Sequence, residues 1–478
     1  MIEGLKPYAE YKESGERWLG QLPSSWELRR AKFLFREVDE RSRTGKEELL
    51  SVSHKTGVTP RSQKNVTMFM AESNVGHKIC RPQDLVINTL WAWMAALGVS
   101  RHTGIVSPAY GVYRLINTET FLPRFADQLL RTPLYADEYQ RRSTGVNSSR
   151  LRLYPEAFFR IAVVLPPPDE QAAIVRFLDH ANWKIDGFIR AKRKLIGLLN
   201  EQKQAIIHRA VTRGLDPNVS LKPSGIPWLG EIPRHWETRK LKQCITRIEQ
   251  GWSPQCDGQP AASNEWGVLK VGCVNKDKFN GDQNKKLPAT FLPDFSLEIR
   301  DGDILMSRAN TRELLGLAAL AENPRRKLIL CDKLFRFRPL TLCFIPKFLV
   351  LALRGQPSRA QIESSTNGAS SSMQNIGQGV VKGLWVSMPP LDEQAVILAA
   401  LTEATDPLNT AIARTEREIA LMQEYRTRLT ADIVTGKLDV REAAGKLPDL
   451  PIGPAADAFT DEAPGDSDML DEIEAEES

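Results

Sequence analysis

"PPPDEQAAIVRFLDHANWKIDGFIRAKRKLIGLLNEQKQAIIHRAVTRGLD" occupies residues 166–216, and "PPLDEQAVILAALTEATDPLNTAIARTEREIALMQEYRTRLTADIVTGKLD" occupies residues 389–439. The two align without a gap, and 17 of 51 positions are identical. Unrelated amphipathic helices do not hold so many identities in so strict a register. The chain carries a tandem duplication.

The repeated stretch has a physical reading. Pro166–Pro168 lack the N–H that a strand ladder needs, so they end what precedes them. Asp169 and Glu170 put negative charge at a helix start, where the helix dipole favours it. Apolar positions then step by four and three: Ile174, Leu178, Ala181, Ile185 and Phe188, followed by Lys192, Leu195, Leu199, Gln202 and Ile206. This is a heptad stripe interrupted at Lys192 and Gln202. Leu408, Ile412, Thr415, Ile419, Met422 and Leu429 form a similar stripe in the second copy. Pro407 aligns with Lys184, and proline suits the first position of a helix, with Asp406 as its cap. The expectation is a short helix, a break near 183 or 406, and a long helix of about 28 residues, roughly 40 Å at ~1.5 Å per residue. Two such helices either pair as a rod or dock separately, each on its own domain.

Further out, "SGERWLGQLPSSWE" at residues 14–27 returns as "SGIPWLGEIPRHWE" at residues 224–237. Between these markers and the Pro-Pro-x-Asp-Glu-Gln segments lie portions that barely match, residues 21–165 and 231–388. They share only an order of signals. "PQDLVIN" at 82–88 and "DGDILMS" at 301–307 each read as a turn, an Asp and a short buried strand. A Ser/Thr/Gly/Asn-rich stretch follows in each, at 141–150 and 364–375, and each portion closes on an apolar run into the prolines. Mixed short strands and helices give an α+β fold. The expected organisation is two tandem globular domains, 1–165 and 217–388, helical spacers at 166–216 and 389–440, and a tail at 441–478. A frame kept in duplicate around two different interiors implies one mechanical task performed twice and two different things recognised.

The net charge of +5 is unevenly spread. From 448 to 478 there are eleven acidic residues and no Lys or Arg, so the rest of the chain stands at +16. That excess suits a polyanion such as nucleic acid, although general solubility is an alternative reading. The tail composition is that of a disordered segment. The six cysteines form no Cys-x-x-Cys pair, which argues for reduced thiols and against a zinc site or a disulfide framework. Apolar runs such as residues 90–99 fall short of the ~20 residues a bilayer span needs. The first residues lack an apolar signal-peptide core. A cytoplasmic protein is expected.

The ordered double set of Trp-Leu-Gly-x-x-Pro-x-x-Trp and Pro-Pro-x-Asp-Glu-Gln segments, each latter one leading into a long helix, resembles the specificity subunit of type I restriction–modification systems. The resemblance covers residues 11–440. It implies two target-recognition domains, each reading one half of a split sequence in double-stranded DNA. It implies two helical regions paired antiparallel as a coiled coil, which dock two modification subunits carrying the methyltransferase chemistry, with restriction subunits joining the complex. S-adenosylmethionine, ATP and Mg would then belong to those partners, with no cofactor on this chain. The acidic tail lies outside the family pattern.

The residues show no catalytic motif of their own. There is no Gly-x-x-x-x-Gly-Lys-Ser/Thr loop for ATP. No Asn/Asp-Pro-Pro-Tyr-like segment marks an amino-methyltransferase. Glu201-Gln-Lys203 echoes a nuclease Glu-x-Lys but lies on the heptad helix. The histidines, including His54, His77 and His102, show no metal spacing. The reading is a non-catalytic recognition subunit. The alternatives are a DNA enzyme such as a nuclease with an unrecognised site, and a scaffold that uses its helices as an interaction rod.

Affinity for DNA comes mainly from Lys and Arg on phosphates, and discrimination from Arg, Lys, Asn and Gln on base edges. In the first domain the candidates are His54, Lys55, Arg61 and Lys64 in "SHKTGVTPRSQKN", Asn88 at a strand end beside Trp91 and Trp93, and Arg101, Arg141, Arg142, Asn147 and Arg150. In the second they are Lys270, Asn275, Lys276, Lys285 and Lys286, with Arg308, Asn310 and Arg312 just after the shared buried strand. Trp18, Trp26, Trp228 and Trp236 belong to the repeated frame and serve packing or subunit docking.

Overall fold

The computed structural model describes residues 5–63, 73–145, 151–256, 258–276, 278–365 and 374–450. They fall into two compact units: residues 1–193 with 417–478, and residues 194–416.

The first unit begins with a small hairpin, Tyr11–Glu13 against Gln21–Pro23. Its turn carries the Trp-Leu-Gly segment, and Gly20 takes the left-handed φ of +66° that only glycine adopts without strain. Glu27–Arg30 pairs antiparallel with Ala162–Leu165, so the start and end of the domain close on each other. Between them lies an antiparallel sheet in the order Phe35–Glu37, Gly111–Leu115, Asp84–Ile87, Leu97–Val99. Helices Pro123–Leu130, Pro133–Arg142 and Pro155–Phe159 each have proline in the first turn, where its missing N–H costs nothing. They bury Phe121, Phe125, Tyr135, Tyr139 and Phe158 against Phe35 and Tyr113 of the sheet.

The second unit repeats this order. Leu221–Pro223 pairs with Glu231–Pro233, and Glu237–Lys240 pairs with Trp385–Met388. The antiparallel sheet runs Glu249–Gln250, Leu334–Phe337, Ile304–Ser307, Ala318–Leu320. Helices Pro346–Arg354, Gln356–Ser364 and Gln378–Gly383 follow. A second sheet, Asn284–Lys286, Gly267–Leu269 and Leu328–Ile329, contains a parallel pair and packs on its own core around Leu269, Cys273 and Leu328. The α+β architecture with a pseudo-repeat is as the sequence implied, and the interiors share a strand order that their residues do not advertise.

The shared Asp of "QDLVIN" and "GDILMS" has one job in both units. Asp84, 1% exposed, accepts from the Arg81 N–H and takes a bidentate pair from Arg114 at 2.7 and 2.8 Å. Asp303, 3% exposed, accepts from the Arg300 N–H and from Arg338 at 2.7 Å. A buried carboxylate is retained only when its lone pairs are met in this way.

The long helices correct one expectation. Pro168–Arg213 is continuous, and so is Leu391–Val434 with Pro407 inside it, so the expected break near 183 or 406 is absent. Pro407 is exposed, and water can solvate the carbonyls that its ring frees. Within the first unit Ile174, Phe177, Leu178 and Ala181 share a core with Leu429, Ile433 and Val434. Lys192 pairs with Glu418 at 2.6 Å, and Asp186 pairs with Arg426. Within the second, Ala210 and Val211 share a core with Ile397 and Leu401. In the first unit one number rises as the other falls, so the helix segments there pair antiparallel, joined by ion pairs beside the apolar seam. Gly436 ends the second helix at φ +82°, where an added Cβ would lie 2.5 Å from Pro23 Cδ.

Candidate nucleic-acid interface

The two interiors are held by the repeated residues. The Glu170 Oε1 atom accepts the Trp26 indole N–H at 2.8 Å and the Tyr8 hydroxyl. In the second unit Glu393 Oε2 accepts the Trp236 indole N–H at 3.0 Å and lies 2.8 Å from His235 Nε2. Trp26 and Trp236 are fully buried. Burial and the bond to Glu170 push the Tyr8 phenol far above its ordinary range. The next residue is a second clamp. Gln171 Oε1 accepts the Leu122 N–H while its amide donates to Thr120 and Pro166 carbonyls. Gln394 does the same with Ile345, Cys343 and Pro389. Asp-Glu-Gln is therefore more than a helix start. Its Glu and Gln tie the first turn of the long helix to the domain that precedes it.

Of the four frame tryptophans, Trp26 and Trp236 pack inside and Trp18 is half-buried against the Tyr135 ring at 5.0 Å. Trp228 is 44% exposed.

The candidate contact residues sort by what already holds them. His54 and Lys55 form the tip of the hairpin Leu50–Ser53/Gly57–Pro60, and Arg131 anchors that tip by donating to both of their carbonyls at 3.0 and 2.7 Å. Arg61 opens the short helical turn Arg61–Gln63 that leaves this hairpin. Asn88 is 3% exposed, donates to the Tyr110 hydroxyl at 3.0 Å and accepts the Leu90 N–H. Trp93 beside it donates to the Leu90 carbonyl. Arg101 is exposed and within Coulombic range of Asp179. Arg141 and Arg142 sit on Glu138 at 3.7 and 2.5 Å. Lys64, Asn147 and Arg150 lie outside the described residues.

In the second unit two distant stretches meet. Asn310 donates its amide to Asn275 Oδ1 at 3.1 Å, which brings "SRANTRE" beside "KVGCVNKDK". Asn310 itself is only 8% exposed, because its strand Ala309–Asn310 continues into a pairing with Gln374–Asn375. Arg308 donates to the Asp332 carbonyl at 3.2 Å. Around the Asn pair stand exposed Lys276 and Arg312, with the loop backbone pinned by Arg354 on the Lys276 carbonyl and Arg359 on the Arg312 carbonyl. Lys270 donates to the Gly258 carbonyl at 3.4 Å. Lys286 pairs with Glu265 at 2.6 Å and holds that carboxyl below its ordinary range. Lys285, next to it on the strand, is exposed and has no ion pair among the described residues. The sequence did not reveal Arg131, Arg354 and Arg359, which position these loops through backbone carbonyls. A residue that acts on a distant carbonyl leaves no local pattern.

No group of three His, Cys, Asp or Glu side chains among the described residues is placed to hold a metal ion. None of the described helices is long and apolar enough to cross a membrane.

A doubled α+β frame, closed by the same Glu–Trp and Gln clamps around two different polar surfaces, defines a tandem two-domain protein. No family model matches the chain. It is 31% identical to the Escherichia coli type I restriction enzyme EcoEI specificity subunit over 174 residues, which is 36% of this chain and 29% of that relative, less than a third of its length. It is 23% identical to the EcoKI specificity subunit of Escherichia coli K12 over 383 residues, 78% of each chain. A solved structure from work on complex assembly and conformational transition of the type I R-M system shares the fold, with TM-score 0.54 and 16% identity over 87% of this chain and 99% of that one. The curated proteins to which it is similar are type I restriction enzyme specificity subunits.

Proposed function

We propose that this chain is the DNA sequence-recognition subunit of a type I restriction–modification complex, each unit reading one half of a bipartite target. The observation that carries the reading is the doubled clamp. The same Glu–Trp and Gln–carbonyl bonds are built twice, around interiors with one strand order and different exposed side chains. A fixed support with two variable faces suits two different ligands of one chemical class. The +16 charge outside the acidic segment makes DNA that class.

On this reading the helices dock two modification subunits, restriction subunits complete the complex, and S-adenosylmethionine, ATP and Mg belong to those partners. This chain contributes recognition and no bond-making step. The test is methylation mapping of a host genome with and without the chain. A split sequence should be modified only when the chain is present. Cleavage or methylation of DNA by the highly purified chain alone would overturn the reading in favour of a DNA enzyme.

A further inference from the structure

The described chain runs to residue 450 beside a cavity of about 450 Å³ in the first unit. Its lining mixes apolar Leu122, Pro123 and Val175 with Arg124, Arg176, Asp179 and His180, and residues 448–450 form its edge. Arg176 already grips the approaching backbone, donating to the Leu447 carbonyl at 2.6 Å and to the Asp449 carboxylate at 3.1 Å. His180 is 8% exposed, and its Nδ1 has no hydrogen-bond partner among the described residues. Further cations flank the cavity. Arg124 leans on Asp179 at 2.7 Å, Arg101 acts on the same carboxylate, and Lys184 lies exposed one helical turn beyond His180. The residues that follow are "PIGPAADAFTDEAPGDSDMLDEIEAEES", apolar at first, then ten carboxylates with no Lys or Arg.

We propose that residues 451–478 dock back on this face, with Pro451 and Ile452 entering the cavity and the carboxylates following Arg176, Arg124, Arg101 and Lys184, and that this polyanion competes with DNA for the first unit. A tether of this length has an r.m.s. span of roughly 30 Å at ~5–6 Å per square root of residue number, so the cations around the cavity are within reach. Attachment gives an effective concentration on the order of millimolar, so weak contacts suffice. Ten carboxylates also match the roughly six to ten phosphates that a DNA-binding protein commonly neutralises. Arg101 belongs both to this face and to the candidate DNA contacts. The docking stands on the cavity and the charges, and only the competition rests on the DNA reading.

The test couples carboxylates to lysines with a zero-length carbodiimide reagent in the full chain at low salt, and maps the products by mass spectrometry. Coupling from residues 451–478 should concentrate on Lys184 and fall at least five-fold in the R124Q/R176Q chain, in which both changes are at exposed side chains. A second full-length chain carries Asn or Gln at all ten acidic positions of the segment. It should bind random-sequence duplex DNA at least ten-fold more tightly at low salt, with the difference closing as salt rises. Coupling spread evenly over surface lysines, or unchanged in R124Q/R176Q, overturns the docking. An unchanged DNA affinity of the neutralised chain overturns the competition. If neither chain binds duplex DNA, the recognition reading fails, and the coupling result still decides the docking.

Discussion

In each unit one carboxylate oxygen ties the entry segment of the domain to its helix, beside the Gln clamp. Glu170 Oε1 serves Trp26 and Tyr8 at once, and both donors are buried. Glu170→Leu strands both, and each orphaned donor costs about 1–3 kcal/mol, so a loss of about 3 kcal/mol or more is expected in denaturant unfolding. Glu170→Gln keeps an acceptor for the indole and offers an amide to the phenol, so it should cost only about 1 kcal/mol, part of it lost charge–dipole energy at the helix start. Equal losses for Leu and Gln would show that the oxygen is not the tie. The sequence revealed the charge at the helix start and concealed the tie, because Trp26 lies 144 residues away. The cysteines were legible as free thiols, and their environments were not. Burial pushes Cys80, Cys244 and Cys331 up to about 12 and Cys273 well above its ordinary value. A thiol with pKa near 12 has a thiolate fraction of roughly one in ten thousand at pH 8. A disulfide reagent at pH 8 should therefore modify Cys256, the one cysteine of the six that is not buried, well ahead of the others. Rapid modification of Cys80 or Cys331 in the folded chain would contradict this burial.

At the scale of elements, the apolar stripe of the helices was readable and their continuity was not. Proline at 407 argued for a break because the local rule counts one lost hydrogen bond and one ring clash. The rule does not count the buried side chains on both sides of the proline, Leu401 and Thr405 before it and Thr415 after it, which hold the helix through the defect. Of the stripe, Leu195 is 40% exposed, while Leu199, Ile419 and Met422 are half-buried. Because Pro407 survives at a cost, removing it should stabilise. Pro407→Ala regains about 3 kcal/mol of helix propensity and gives back roughly 0.4–1 kcal/mol of unfolded-state entropy, so about 2 kcal/mol net is expected. Equilibrium denaturation should shift to higher denaturant. A shift to lower denaturant would mean that the bend imposed by proline is itself required for packing. At the position of Ile196 the first helix has no such defect, and Ile196→Pro should cost about 3 kcal/mol or more and, on the function proposed above, weaken assembly with modification subunits.

Across the whole molecule, the duplication was legible from its frame, and the likeness of the interiors emerged only from strand order. Phe35–Glu37, Gly111–Leu115, Asp84–Ile87 and Leu97–Val99 correspond one for one to Glu249–Gln250, Leu334–Phe337, Ile304–Ser307 and Ala318–Leu320, although almost nothing but the capping Asp recurs. Strand pairing tolerates any residues that keep one face apolar, so topology outlasts identity. The same tolerance hid which polar residues stay outside. Asn88 and Asn310 stood at strand ends as if to meet a ligand, yet both are buried in side-chain hydrogen bonds, and the exposed cations near Asn310 include Lys276 and Arg312. On the function proposed above, a division of labour between the units is testable with the assembled complex and a DNA library randomised in both half-sites. Arg312→Ala should relax recognition in one half-site only, by about 1–3 kcal/mol at one position if the guanidinium grips a base bidentately. Asn310→Ala should disturb the same half-site by releasing Asn275. The neighbouring lysines should behave differently from both and from each other. Lys285 is unpaired among the described residues, so Lys285→Ala should weaken binding to all sequences alike and lower the salt slope by about one. Lys286 already spends its charge on Glu265, so Lys286→Ala should lower the slope by less. Equal slopes for the two lysine variants would show that the Glu265 pair opens on DNA, and an Arg312 change felt equally in both half-sites would end the assignment of this surface to one half of the target.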